Sequence, residues 1–296
     1  MRYGIGIDLG GTNIKVAAVS EAGEILQSST CETQPDSPAS WIQTISEAIK
    51  AIAISQEEAE GWIGVAAPGL AAHDNLSIAS MPGKLRGLEG LNWTDSLKAS
   101  HPVRVLNDAH AALQGEASIG AAVGYRNVAL ITLGTGVGGA LLVDGRLYKG
   151  HLGRAGHLGH ISLDPDGPLD IVGTPGSLEL AIGNSTLAQR SRGRFTSTRK
   201  LVAAHLSGDQ QATDVWLRSV QNLAAGVTSI INAFDPEVVI IGGGIAQAGT
   251  ALFDPLDSFM KRIEWKPQGQ SVRILPAALG ELAGTIGAAY FALNNL

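Results

Sequence analysis

Two stretches of this 296-residue chain follow one plan. From Tyr3, YGIGID runs as an apolar strand into a glycine turn, LGGTN. Two more strands follow, IKVAAVS and EILQSST, separated by the turn Glu21-Ala22-Gly23. From Val128, VALITLGTGVGGALLVDGRLYKG repeats strand, glycine turn, strand, acidic-glycine turn and strand. Duplicated hairpin-plus-strand units lead to the expectation of two lobes of related topology facing each other across a cleft.

The other elements fit an α/β chain. Trp41, Ile45, Ala48, Ile49 and Ile52 recur at helical spacing, predicting a helix over 39–54. WIGVAAPG and Val103–Leu106 read as strands, the latter stopping at Asn107-Asp108, and small residues predict a helix over 109–122. Residues 150–185 are irregular and rich in Gly, Pro and Asp, and 186–208 are weakly helical. The stripe Trp216, Val220, Leu223, Val227, Ile230, Ile231 predicts a strong helix over 214–233, and VVII precedes a triple glycine. An Ala/Gly-rich helix is expected over 280–293.

Glycine numbers 38, more than turns require, and suits a backbone that approaches phosphates closely. A net charge of −6 gives no support for a nucleic-acid surface. Cys31 is the single cysteine, so neither an internal disulfide nor a CxxC metal site is available. Met1-Arg2-Tyr3-Gly4 leads straight into a strand, and no apolar run reaches membrane-spanning length, so a cytoplasmic protein with no membrane partner is expected.

Five motifs carry chemistry. In Asp8-Leu9-Gly10-Gly11-Thr12-Asn13-Ile14-Lys15, glycine amides can face phosphate oxygens, Thr12 adds a hydroxyl, and Asp8 can hold Mg²⁺ through water. The bland alternative is an ordinary hairpin whose Asp caps a turn. Thr132-Leu133-Gly134-Thr135-Gly136-Val137-Gly138-Gly139 has the same chemistry in the second repeat, and a triphosphate gripped from both lobes explains both turns. Gly242-Gly243-Gly244 leaves a flat slot for a base or ribose. Its spacing is not the G-x-G-x-x-G dinucleotide pattern, and the chain has no G-x-x-x-x-G-K-[ST]. Asn107-Asp108 opens a helix, where such a pair is ordinarily a cap; the phosphate loops shift the reading of Asp108 to a general base. Finally, His157 and His160, with Glu179 further on, could form a metal site, a sugar site or surface histidines. Lacking cysteines or a helix to fix the pair, they suit sugar hydroxyls better than metal.

In this order the motifs resemble the ROK (repressor, ORF, kinase) family of sugar kinases. The resemblance runs from Asp8–Lys15 through Asn107-Asp108, LGTGVGGALLVDGRLYKGHLGRAGHLGH and Gly242–Gly244 to LGELAGTIGAA. It implies an α/β duplicated two-lobe fold of the actin/hexokinase (ribonuclease H-like) type. The expected lobes are 1–107 and 108–283, with the last helix, about 284–296, returning to the first. The implied activity is ATP- and Mg²⁺-dependent, glucokinase-like phosphorylation of a hexose or hexosamine, by a homodimer. Asp108 resembles the family's base, and Asn107, His160 and Glu179 its sugar ligands; Gly69 in AAPGLA is expected to approach the sugar through its backbone. The rival readings are an inactive sugar sensor and a more distant ATPase or acetate-kinase-like member of the fold. Repressor members carry a DNA-reading domain before the first phosphate strand; with that strand beginning at Tyr3, the repressor reading is not expected here.

Two departures from the family pattern stand out. Family kinases usually have Glu where this chain has His157. A carboxylate there accepts bonds from two hydroxyls, each contributing about 1.5–3 kcal/mol, whereas neutral imidazole offers one donor and one acceptor. The expectation is poor use of plain glucose, or preference for a sugar with an acetamido carbonyl or anomeric substituent facing His157. Sugar affinity is also expected to change between roughly pH 5.5 and 7.5. The second departure is Asp170, Val172 and Ser177 at the positions of three cysteines that, with the histidine matching His160, often hold structural zinc, so zinc is not expected.

Overall fold

The computed structural model describes residues 2–33, 38–52, 61–81 and 85–294. They form two compact units: Met1–Gly124 with Leu147–Ala155 and Ala278–Leu296 (unit 1), and Tyr125–Arg146 with Gly156–Ala277 (unit 2).

Unit 1 is built on β1 (Tyr3–Leu9), β2 (Asn13–Ser20), β3 (Ile25–Glu32), α1 (Pro38–Ile52), β4 (Gly61–Ala67), the short hairpin β5 (Leu70–Ala71) and β6 (Ile78–Ser80), α2 (Trp93–Leu97), β7 (Arg104–Asn107) and α3 (Asp108–Ile119). Its sheet has the order β3-β2-β1-β4-β7, with β1, β4 and β7 parallel. The register sets Ala66 beside Asp8 and Asn107 beside Ala67, so the sequence-predicted carboxylates lie at the carboxyl ends of these strands. Ligands of open α/β sheets bind at such ends. One face buries Trp41, Ile45 and Trp93 with Ile5, Ile7 and Val65. Residues 53–54 of the expected helix over 39–54 lie outside the described residues.

Unit 2 continues with β8 (Val128–Leu133), β9 (Val137–Val143), β10 (Arg146–Leu147), α4 (Leu178–Ile182), α5 (Leu187–Arg190), α6 (Thr198–Leu206), α7 (Gln210–Phe234), β11 (Val238–Gly242), α8 (Thr250–Ile263) and β12 (Arg273–Pro276); α9 (Ala283–Asn294) belongs to unit 1. The second sheet is ordered β10-β9-β8-β11-β12. The predicted stripe of α7 is its buried face: Trp216, Val220, Leu223, Val227 and Ile230 pack with Ile131, Leu133, Val239 and Ile241. The helix starts a turn earlier than its apolar pattern, because Asp209 accepts the Ala212 N–H at 2.9 Å as a cap. Asp235, in left-handed backbone (φ 43°), ends it before Pro236.

The units part after Gly124, not after Asn107 as expected from the strand end. Helix α3 stays in unit 1 because it lies on α9 at backbone contact distance. A Cβ on Gly115 would stand 2.6 Å from the Ala283 carbonyl oxygen, and one on Gly287 would overlap the Ala111 carbonyl. Helix α9 meets the sheet in the same way, with Gly6 against the Thr285 carbonyl and Gly64 against that of Ala288. Small residues, not apolar bulk, make this interface. The weak helix expected over 186–208 is interrupted: α5 stops at Arg190, Arg192 and Gly193 take positive φ, and α6 begins after Ser197.

Candidate active site

The first glycine turn closes with Gly10 N–H donating to the Asn13 carbonyl at 3.0 Å. Thr33, just after β3, braces it: its N–H donates to Thr12 O (2.8 Å) and its hydroxyl to Gly10 O (2.7 Å). No described atom lies within 4 Å of a Cβ built on Gly11, so packing does not explain that glycine. Lys15 is held by Glu281, its ammonium reaching the carboxylate (3.0 Å) and the carbonyl (3.1 Å).

Asp8 lies near the end of β1, with Gly284 of α9 beside its carboxylate; a Cβ there would stand 3.0 Å from Oδ2. Its pKa is raised to about 6, first by burial and then by the charge of Asp108, with Lys15 opposing. Asp108, the first residue of α3, is exposed. Its pKa is also raised, by loss of surrounding water, against hydrogen bonds from Ala109 N–H, the Asn107 side chain and its own N–H. The cap of α3 is Asn107: its Oδ1 accepts from Ala109 N–H (3.0 Å) and His110 N–H (3.3 Å). Its Nδ2 donates to Gly69 O at 2.9 Å. Gly69 has φ +100° and would put a Cβ 2.6 Å from Ser80 O, so the fold itself demands glycine there. Asn107 therefore does the capping, leaving Asp108 to other work. His110 Nε2 pairs with the Ala155 carbonyl at 3.3 Å.

In unit 2 the second turn closes by Gly134 N–H to Gly136 O at 2.9 Å. Asn184 N–H donates to Gly134 O (3.0 Å) and Ser185 N–H to Thr135 O (2.9 Å). Glu179, in the first turn of α4, lies against Gly136 and accepts the Val137 N–H on Oε2 at 2.9 Å. The sequence-predicted sugar ligand is thus also a brace of the phosphate loop. Arg190 supports 183–186 from behind, donating to Gly183 O (2.7 Å), Thr186 Oγ1 (3.3 Å) and Ser219 Oγ (2.5 Å); burial lowers its pKa to about 10. The register of β8 with β11 sets Thr132 beside Gly242. Gly243 (φ +86°) presses on the Leu133 backbone, whereas Gly134 and Gly244 have no described atom within 4 Å of a Cβ.

His160 Nδ1 lies 2.7 Å from Asp170 Oδ2. His157 has its pKa lowered by burial and then by His160. Both causes favour the neutral imidazole. The same desolvation moves the expected change in sugar affinity, placed between roughly pH 5.5 and 7.5, toward lower pH.

Sequence reasoning missed Thr33, Glu281, Gly284, Asn184 and Arg190. Each reaches its loop from a segment distant in sequence, which no local pattern announces. Among the described residues no group of three or more His, Cys, Asp or Glu could hold a metal ion, and no helix is long and apolar enough to cross a membrane.

A family model described as the ROK family matches residues 4–295. The chain is 33% identical to a glucokinase of Thermotoga maritima over 305 residues, covering 96% of this chain and 95% of the relative. It is 29% identical to an N-acetylmannosamine kinase of Vibrio cholerae, covering 97% and 98%. The structure matches a ROK family glucokinase from Streptomyces griseus in complex with glucose and AMPPNP with a TM-score of 0.83, at 29% identity, over 98% of this chain and 99% of that one. The α/β architecture is accordingly of the actin/hexokinase type, and the chain belongs to the ROK family.

Proposed function

We propose that this chain transfers the γ-phosphoryl group of ATP to a hydroxyl of a hexose or hexosamine. The observation that carries the reading is the pair Asp8 and Asp108, in which Asp8 is raised to about 6 partly by its neighbour's charge. Asn107 already caps α3, so the Asp108 carboxylate is not needed as a cap. Acting as general base, the exposed Asp108 carboxylate would take the proton of the attacking hydroxyl. The inactive sensor reading gives these paired carboxylates no task.

The donor set suits Mg²⁺. Asp8 offers hard oxygen atoms that would hold the ion, in part through water, a divalent cation there would relieve its repulsion with Asp108, and Mg²⁺ keeps much of its shell as water and phosphate oxygens rather than further protein ligands. When bound, the ion would supply charge neutralisation at the phosphates. Gly11, Gly134 and Gly244, which the fold does not require to be glycine, would let backbone N–H groups meet phosphate or nucleoside, with Gly10, Thr12, Asn13, Thr132, Thr135 and Gly136 in the same turns. Lys15, paired with Glu281, would reach a phosphate only by exchanging that partner.

Neutral His157, with His160, Glu179 and Gly69, would contact sugar hydroxyls. One donor and one acceptor at His157 keep the reading that plain glucose is handled poorly or that a substituted sugar is preferred. Zinc is not part of this reading: Val172 cannot ligate and Asp170 is already bonded to His160. Elemental analysis showing about one zinc per chain would contradict that. A cytoplasmic homodimer, acting without nucleic acid or membrane, belongs to the same proposal, and sedimentation tests the dimer. The direct test is coupled ADP release over a panel of hexoses and N-acetylhexosamines. Sugar-dependent ADP release is expected, and none with any sugar would contradict the reading.

A further inference from the structure

Asp170 lies in a tight turn of unit 2. Its N–H donates to Thr174 O (2.9 Å), and its Oδ1 accepts from Val172 N–H (3.0 Å) and Thr174 N–H (2.9 Å). Its Oδ2 faces His160 Nδ1 at 2.7 Å. The Asp170 side chain has 0% exposure, whereas that of His160 keeps 24%. Burial acts to raise this carboxyl, yet hydrogen bonds from His160, Thr174 and Val172 hold it below its ordinary value. It is therefore an ionised, acceptor-only group.

A carboxylate at that distance requires a proton on Nδ1. In neutral imidazole the other nitrogen, Nε2, is then a bare acceptor. We infer that Asp170 is a positioning residue that holds His160 in the Nδ1–H form, so that Nε2 accepts the hydroxyl proton of the substrate. The identity of that partner as a sugar hydroxyl rests on the kinase reading. The consequence is a polarity rule: the substrate must donate a hydrogen bond at this position, so a deoxy, fluoro or O-methyl sugar altered there is excluded.

Asp170→Asn separates orientation from architecture. The turn needs Oδ1 to accept the Val172 and Thr174 N–H groups, so the new amide NH₂ faces His160 and donates to Nδ1, forcing the proton onto Nε2. Such tautomer inversion disables a histidine without moving it. Two-bond ¹⁵N–¹H NMR, with His160 assigned by its loss in His160→Gln, should show Nδ1–H in the wild type and Nε2–H in Asp170→Asn. The variant should raise KM for sugar roughly tenfold or more, as for loss of one well-made hydrogen bond. KM for ATP and the melting temperature should stay near wild type, which a merely structural role would not give. A wild-type Nε2–H form, or an unchanged sugar KM in Asp170→Asn, overturns the assignment. If Asp170→Asn fails to fold, the wild-type tautomer still decides it. Absence of transfer to every sugar by the wild type would contradict the kinase reading separately, because the tautomer is read without substrate.

Discussion

The two glycine hairpins share a backbone plan and differ in charge. Asp8 and Thr132 hold the same place, one residue before the end of their strands, and each pairs across its hairpin, with Lys15 and Gly138 respectively. The first hairpin sets a carboxylate near a second one, Asp108, and accepts an electrostatic cost for it. The second has a hydroxyl at that place, and its glycine turn is tied down by Glu179, Asn184 and Ser185. Duplication therefore supplies geometry twice, while the proposed acid–base and metal chemistry is confined to one copy.

The largest expected effect breaks the chemical half. Asp108→Asn should lower kcat by roughly 10²–10⁴-fold, with little change in melting temperature, because Asn107 retains the cap. Steady-state kinetics beside a thermal melt checks both; wild-type turnover would remove Asp108 from the mechanism.

Next is the architectural counterpart. Gly6→Ala would drive a Cβ into the Thr285 carbonyl, and overpacking of this kind costs about 1–3 kcal/mol or more. Gly11→Ala and Gly134→Ala meet no described atom, so each should melt near wild type while raising KM for ATP. Denaturant titration and kinetics on all three variants would sharpen the distinction. A destabilised Gly134→Ala would make that glycine structural.

A pH-dependent effect follows from Asp8. A carboxyl whose folded pKa is raised from 3.8 to about 6 binds more protons folded than unfolded in that interval. Its contribution is fully present below 3.8 and is lost as pH rises through about 6. Metal-free wild type should therefore lose stability over this range relative to Asp8→Asn, by an amount on the order of 1–3 kcal/mol. Melting curves of the two proteins, in chelator, across that range would show parallel pH profiles if Asp8 were unperturbed. The smallest effect belongs to Glu281→Gln, which frees Lys15 from a partly exposed pair and should cost less than about 1 kcal/mol.

The legibility of the site follows the same division. Glycine turns between apolar strands announce themselves locally, so Gly10–Asn13, Gly134–Gly136 and Gly242–Gly244 were visible as loops, and Asn107-Asp108 as a helix start. Invisible were the long-range ties: Thr33 on Gly10, Glu281 on Lys15, Asn184 on Gly134 and Glu179 on Val137. These depend on which distant segment is folded against the loop, and no periodicity encodes that. The end of unit 1 was misplaced for a related reason. A strand terminus is a local signal, whereas the attachment of α3 to α9 rests on facing glycines and alanines far apart in sequence. Asp170 was read for the thiolate it lacks, and its hydrogen bond to His160 became evident only in three dimensions.

The division of labour is tested most directly by calorimetric titration of ATP, with and without Mg²⁺, into wild type, Asp8→Asn and Gly134→Ala. The account expects Asp8→Asn to keep metal-free ATP binding and lose the gain that Mg²⁺ brings, and Gly134→Ala to weaken both titrations alike. An undiminished Mg²⁺ gain in Asp8→Asn, or wild-type nucleotide affinity in Gly134→Ala, would contradict it.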